Sequence, residues 1–251
     1  MMRILVVCFL ALAVSSTARC NEDLFASNVD VRNLLAYQAP EAAVQKLLPA
    51  GWEIDTPAAG PAKGANFYIV LIDSTLTLDP EGKPVDGVRG FVLAIPARNK
   101  ANNAAGPMIV GGLVPVGFAP GAYGVYTAAK VSVARKSSHD DGKVVGDELW
   151  EAKADNGAAI RVKLSFVRGT PTKAKLEQKA YSGAKPDFFR IYRIEQAADV
   201  VRSAPIKVDR TTEASVDVAG QPLTSVLDGT EQLIAIVSVP WYSRQIFLPR
   251  S

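Results

Sequence analysis

The chain has 251 residues, of which 28 are basic and 25 are acidic, so its formal net charge is only +3. This balance lacks the clustered basic charge that binds nucleic acid or an anionic membrane, and we expect neither as a partner. The length is typical of one β sandwich or barrel, and such a chain can bury a sizeable core without disulfide cross-links.

Residues 1–18 have the composition of a secretory signal peptide. Arg3 provides a positive charge, residues 4–14 form an unbroken apolar run, and Ser16 and Ala18 supply the small residues of a cleavage site. The run is much shorter than the roughly 20 apolar residues that span a bilayer as a helix. We therefore predict cleavage after Ala18, a secreted protein, and a single domain over residues 19–251. A buried N-terminal strand or helix is the alternative interpretation.

The cysteine content agrees with export. The chain has two cysteines, Cys8 and Cys20, and the first would leave with the signal peptide. A single remaining cysteine can form neither an internal disulfide nor a cysteine-based metal site. We expect no metal and no cofactor.

Most of the chain has the patterns of β-strands. Residues 40–48 (PEAAVQKLL) predict a short helix that begins after a proline. Residues 66–73 (NFYIVLID) and 159–167 (AIRVKLSFV) predict strands, because they are rich in β-branched residues or alternate apolar and polar ones. Asn156-Gly157 predicts a tight hairpin turn before the second of these strands. Residues 195–202 predict another short helix.

Motifs for catalysis are scarce. The sequence contains no Gly-rich phosphate loop that ends in Lys-Ser/Thr, and no Gly-x-Ser-x-Gly nucleophile motif. The single histidine, His139, lies in the polar segment 137–142, which is more typical of a solvated hairpin tip than of an acid–base or metal site. We therefore expect no histidine-dependent catalytic triad.

A lysine is the remaining candidate for covalent chemistry. Residues 123–135 predict a long strand, on which Val131 and Val133 share one face while Lys130 and Lys136 share the other. The plainest interpretation is a core-facing valine row with solvated lysines behind it. A catalytic Lys136 is the alternative.

Five segments, taken in order, resemble a known family. They are residues 45–54 (QKLLPAGWEI), the strand and loop 66–84, the lysine strand 123–136, residues 186–191 (PDFFRI) and residues 221–226 (QPLTSV). Together they are similar to the acetoacetate decarboxylase superfamily, and the likeness extends over roughly residues 31–249. The resemblance implies a mainly β fold, namely a closed antiparallel β barrel or cone with a few short helices around an interior pocket.

The resemblance also implies an activity. The type enzyme of this family forms a Schiff base between a lysine and a β-keto acid, which requires an unprotonated amine and so a pKa lowered from about 10.4. By position, Lys136 resembles the nucleophile and Arg135 its neighbouring cation. Asp79 or Glu81 corresponds to a loop carboxylate, and Arg32 to an N-terminal arginine.

The chain departs from the family pattern at the lysine strand. The family's proline followed by two lysines is replaced by Ala-Arg-Lys-Ser at residues 134–137, and its arginine–glutamate pair by Ala129-Lys130. Two functions stay open: a lyase that uses Lys136 on a small β-keto acid or related carbonyl compound, and a secreted, non-catalytic small-molecule-binding protein on the same barrel. An apolar and aromatic pocket, with Lys136 turned to solvent, would favour the second. A homo-oligomer is left open.

Overall fold

The structure is a computed structural model that describes residues 22–250, apart from the side chain of Asp140. The predicted signal peptide, its cleavage site and Cys20 lie outside these residues. The described chain is mainly β with two short helices, as the sequence predicts. No helix within the described range is long and apolar enough to cross a membrane.

The elements are as follows. The strands are β1 (Glu22–Gln38), β2 (Trp52–Ile54), β3 (Phe67–Leu78), β4 (Pro84–Val85), β5 (Arg89–Asn99), β6 (Ala105–Val114), β7 (Thr127–Ala128), β8 (Lys130–Asp140), β9 (Lys143–Lys153), β10 (Ala159–Val167), β11 (Thr172–Ser182), β12 (Phe189–Ser203), β13 (Val208–Asp209), β14 (Thr211–Ala219) and β15 (Gln232–Pro249). The helices are α1 (Glu41–Gln45) and α2 (Leu223–Val226), and Val116–Phe118 form one turn of 3-10 helix.

Seven strands are hydrogen-bonded in a continuous ring. The order is β5, β3, β1, β15, β12, β11 and β6, and β6 pairs with β5 again. Six of these seven neighbouring pairs are antiparallel, whereas β6 and β11 are parallel. The mainly β prediction is confirmed, and the ring differs from a purely antiparallel one at this single pair. The long connection between β6 and β11 permits a parallel pairing, which a tight hairpin could not.

A second, antiparallel sheet of four strands has the order β14, β10, β9 and β8. The alternation in β10 buries Ile160, Val162, Leu164 and Phe166 on one face, as its sequence predicts. These residues belong to the same core cluster as outward-facing residues of the ring strands. The second sheet therefore packs against the outside of the ring.

The ring strands have two different buried faces. On β3, Phe67, Ile69 and Leu71 belong to the core cluster shared with the second sheet. Their neighbours Val70 and Ile72 point the other way, into the ring. Because successive side chains of a strand lie on opposite faces, one hydrophobic run supplies both the core and the ring interior.

Several predicted elements are confirmed. Helix α1 lies within residues 40–48, β3 includes residues 67–73, and β10 has the predicted bounds 159–167. Strands β9 and β10 are joined through Asn156-Gly157, where Gly157 has a φ of 87° that a side-chain-bearing residue rarely adopts.

The short helix predicted over residues 195–202 is wrong, because these residues continue strand β12. Their backbone pairs with β11 as far as Ala198 and with β15 on the other edge as far as Ser203. A helix of two turns is marginal by itself, so hydrogen bonding on two edges outweighs its weak intrinsic propensity.

Candidate functional site

The interior of the ring is a cavity of about 980 Å³. Alternate residues from all seven ring strands line it, and most of its wall is apolar. A volume of this size lies at the upper end of the range for small-molecule pockets. The apolar wall comprises Ala26, Leu34, Val70, Ile72, Val92, Ala94, Ile109, Ala180, Ile194, Val237, Val239 and Ile246.

Two loop segments contribute to the cavity at one end of the ring. The strand register places the start of β1, the end of β3, the start of β5 and the end of β6 at this end. The hairpin over residues 74–88 contributes Asp79 and Val85, and the loop over residues 115–126 contributes Phe118 and Tyr126. We call this end the mouth of the cavity.

Three arginines, Arg32, Arg190 and Arg244, point into the cavity. Arg32 Nε donates a hydrogen bond to Asp30 Oδ2 at 2.8 Å, and a second guanidinium nitrogen of Arg32 also contacts that oxygen. Arg244 Nε donates to the side-chain oxygen of Asn28 at 2.9 Å. Arg190 Nε is buried and has no hydrogen-bond partner among the described residues.

Tyrosine side chains surround these arginines. The Arg32 guanidinium carbon lies 3.7 Å from the ring centre of Tyr242, and that of Arg244 lies 4.3 Å from the ring centre of Tyr192. The hydroxyl groups of Tyr192 and Tyr123 share a hydrogen bond. Such cation–π contacts hold the charged groups in place while leaving guanidinium N–H groups available to a ligand.

Burial keeps three of the cavity tyrosines, Tyr68, Tyr123 and Tyr126, neutral. Burial, together with the neighbouring Tyr192, raises the pKa of Tyr123 well above its ordinary value. Burial also raises the pKa of Tyr126, more than the nearby arginines lower it. Burial raises the pKa of Tyr68 to about 12. These hydroxyl groups therefore remain hydrogen-bond donors at neutral pH.

The cavity also keeps Arg244 charged. Burial lowers the pKa of its guanidinium, but Tyr192, Tyr242 and Asp30 raise it by more, so the pKa lies above its ordinary value. Two of the three cavity cations, Arg32 and Arg244, thus lie close to one buried carboxylate, Asp30. The carboxylates that line the cavity elsewhere, Asp79 and Asp86, belong to the hairpin at the mouth. The inner wall consequently has an excess of positive charge next to apolar surface, which suits a negatively charged group with an apolar body.

The structure brings only some of the predicted site residues together. Arg32 and Asp79 line the cavity, where Asp79 Oδ1 also accepts the backbone N–H of Lys83 at 2.8 Å. Glu81 is exposed in the hairpin and lines neither the cavity nor another described pocket.

Arg135 and Lys136 lie away from the cavity. Strand β8 belongs to the second sheet and not to the ring, so its side chains do not point into the ring. Arg135 pairs with Asp73, and Lys136 is exposed beside a separate surface cleft. No lysine is found among the described residues that line the cavity.

The sequence analysis did not single out Arg190, Arg244 or the tyrosines Tyr123, Tyr192 and Tyr242. Two of them could have been found from the sequence, because the alternation along β12 places Arg190 and Tyr192 on the same face of the strand. Tyr123 was assigned to a strand, whereas residues 123–126 form part of a loop and β8 begins at Lys130. Within residues 22–250, no group of three or more His, Cys, Asp or Glu side chains is arranged to hold a metal ion.

Comparisons with known proteins support the fold. No protein-family model and no curated protein sequence matches the chain significantly. Among solved structures, an acetoacetate decarboxylase-like enzyme from Sphingomonas wittichii RW1 has a TM-score of 0.52 and 11% identity, over 90% of this chain and 91% of that chain. The enduracididine biosynthesis enzyme MppR, complexed with the condensation product of pyruvate and imidazole 4-carboxaldehyde, has a TM-score of 0.49 and 10% identity, over 90% of this chain and 87% of that chain.

The chain therefore has the acetoacetate decarboxylase-like fold, and its low identity makes it a divergent example. The predicted resemblance is confirmed at this level. Fold does not determine function, so the function has to be argued from the cavity.

Proposed function

We propose that the protein binds a small organic acid, a carboxylate joined to an apolar body, inside the ring cavity. The observation that carries this proposal is the set of three guanidinium groups on the wall of a mostly apolar cavity. Guanidinium groups bind carboxylates through paired, charge-assisted hydrogen bonds. The apolar wall would cover the rest of the ligand.

The contacts within the cavity suggest how the carboxylate would be held. Arg32 is already engaged by Asp30, whereas Arg244 bonds a neutral amide and Arg190 has no carboxylate partner among the described residues. Arg190 and Arg244 are therefore the main ligands that we propose for the carboxylate. The hydroxyl groups of Tyr123 and Tyr192, which share a hydrogen bond with each other, would contribute additional hydrogen bonds.

We infer binding without a Schiff base, because Lys136 is exposed to solvent and outside the cavity. A nucleophilic lysine needs burial or a nearby cation to lower its pKa, and it needs access to the bound carbonyl group. The N-terminal sequence further supports a secreted protein. The proposal is thus a secreted carboxylate-binding protein on an acetoacetate decarboxylase-like fold.

Isothermal titration calorimetry with octanoate tests this function. Arg190→Gln and Arg244→Gln should each weaken binding by about tenfold or more, since a hydrogen bond to a charged group contributes about 1.5–3 kcal/mol. Arg161→Gln is the matched control, because Arg161 is half-exposed on the second sheet and pairs with Glu151. 1-Octanol should bind more weakly than octanoate and should be insensitive to both cavity variants. Equal affinity for octanol and octanoate would contradict the proposal.

Borohydride trapping distinguishes carboxylate binding from a lyase that forms a Schiff base on Lys136. Wild-type protein incubated with acetoacetate and borohydride should gain no covalent adduct by intact-mass spectrometry. An adduct that disappears in Lys136→Ala would instead support Schiff-base chemistry.

A further inference from the structure

We propose a second binding site, for a tetrahedral oxyanion of the kind that ends a phosphate or sulfate monoester. It is a cleft of about 510 Å³ where the second sheet meets the outer face of the ring. Four basic side chains line it, Arg89, Arg135, Lys136 and Arg168, together with one acidic side chain, Asp73. The site is separate from the ring cavity and does not depend on the function proposed for that cavity.

Asp73 fixes two of the four cations in position. It lies on the face of β3 that points away from the cavity, and its side chain is only 8% exposed. Arg89 Nε donates to Asp73 Oδ1 at 2.5 Å, and Arg135 donates to Oδ2. One carboxylate thus holds two guanidinium groups, each of which retains N–H groups that can bind an anion.

The other two cations are not neutralised. No described carboxylate lies within ion-pair distance of Lys136 or Arg168, and Arg168 Nε is buried without a hydrogen-bond partner among the described residues. Asp147 is paired opposite Lys136 on β9, but it accepts a hydrogen bond from Ser165 Oγ at 2.6 Å.

Glu148 does not neutralise the cleft either. It is paired opposite Arg135, but the hydrogen bonds recorded for it come from Asn33 and Trp150. The residues lining the cleft therefore carry four positive charges and one negative charge, a net charge of +3.

This lining favours a compact dianion over the carboxylic acid proposed for the ring cavity. The cleft is mainly polar, and Ser137 adds a hydroxyl donor, so the site offers charge and hydrogen bonds but little apolar contact. Guanidinium and ammonium groups that line one polar cleft match an oxyanion with several acceptor oxygens. The anion would also link two sheets, because Arg89 lies on the ring and Lys136 on the second sheet.

Thermal unfolding in phosphate tests the site. Inorganic phosphate, titrated against sodium chloride at constant ionic strength, should raise the melting temperature by about 2–5 °C and saturate in the millimolar range, because it binds the folded state. Sulfate is titrated in parallel. A rise that stays linear without saturation is the general effect of excluded salts, and it would overturn the proposal.

The double variant Lys136→Gln, Arg168→Gln should lose the saturable rise, whereas Lys46→Gln, which changes an exposed lysine at the end of α1, should keep it. In chloride alone the double variant should melt at the same temperature as wild type or higher, because like-charge repulsion is reduced. A merely structural role for the two cations predicts a lower melting temperature instead. An unchanged phosphate response in the double variant would refute the site.

Phenyl phosphate and phenyl sulfate identify the ester. The ester that binds more tightly in calorimetry shows which oxyanion, phosphate or sulfate, the site prefers. The absence of binding by either would contradict the proposal. Octanoate affinity should be unchanged in the double variant. The two proposed sites can therefore fail independently of each other.

Discussion

Asp30 and Arg32 form a buried ion pair beside the cavity wall, with side chains that are 1% and 10% exposed. Asp30 Oδ1 has no hydrogen-bond partner among the described residues, and Arg32 donates the side-chain hydrogen bonds to Oδ2, so Arg32 is the main group that compensates this carboxylate. A buried charge that loses its partner is far more costly than a pair that is removed completely.

Arg32→Met should therefore lower the free energy of unfolding by about 3–5 kcal/mol. The double variant Asp30→Asn, Arg32→Met should recover most of this loss, since it leaves no uncompensated charge. Urea unfolding of the two single variants and the double variant measures the coupling. If the double variant is as unstable as Arg32→Met, the loss of stability does not come from an uncompensated charge on Asp30.

The cavity tyrosines predict a loss of stability at alkaline pH. In the unfolded chain a tyrosine titrates near pH 10, whereas burial raises the pKa of Tyr68 to about 12 and also raises the pKa of Tyr126. A raised pKa means that the folded state holds the proton more tightly. This stabilisation is complete below about pH 10 and is lost as the pH rises toward the folded pKa.

Urea midpoints measured at pH 9, 10 and 11 test this dependence. Wild type should lose up to about 1.4 kcal/mol per pH unit more than Tyr126→Phe, which lacks the titrating group. Parallel pH profiles for the two proteins would mean that Tyr126 ionises with equal ease in both states.

At the scale of elements, the parallel pair of β6 and β11 completes the ring at a very close backbone approach. A Cβ atom on Gly106 would lie 2.2 Å from the carbonyl oxygen of Lys179, a distance that requires the backbones to separate. Gly106→Ala should therefore cost about 2 kcal/mol or more of stability and weaken octanoate binding. Gly117→Ala is the control, because no atom lies within 4 Å of its Cβ position. Equal melting temperatures for the two variants would contradict this explanation.

Glu148 connects the second sheet to the ring. This buried carboxylate on β9 accepts Asn33 Nδ2 from β1 at 2.6 Å and Trp150 Nε1 at 2.8 Å. Glu148→Ala would leave two buried donors unpaired and should cost about 2–4 kcal/mol by urea unfolding. Glu148→Gln keeps a side-chain oxygen and should cost less. Equal losses in the two variants would show that the hydrogen bonds contribute little.

For the whole molecule, local patterns were sufficient to predict some strands, such as β3 and β10, and the ordered set of segments that resembles the family, but they gave a helix where β12 continues. The ring cavity was not predictable in the same way, because its residues meet only through strand pairing. Asn28 and Arg244 are hydrogen-bonded across 216 residues of sequence. Lys136 was assigned to the active site because its segment occupies the same place in the sequence order as the family's lysine strand. Whether β8 joins the ring or the second sheet, however, depends on strand pairings that no local pattern contains.

The size of the cavity leads to a last prediction, about ligand length. Its volume of about 980 Å³ is much more than acetoacetate would fill. Each added methylene group that becomes buried contributes about 0.8 kcal/mol, or roughly a fourfold gain in affinity. Straight-chain carboxylates should therefore bind more tightly from butanoate to octanoate in calorimetric titrations.

A variant that fills the cavity provides the control for this series. Ala94 lies on the apolar wall, on β5, and is not among the charged residues. Ala94→Phe should weaken octanoate more than butanoate, because it removes space for the apolar chain while leaving the arginines unchanged. If acetoacetate binds wild type as tightly as octanoate does, the apolar wall does not select the ligand, and the carboxylate site alone determines affinity.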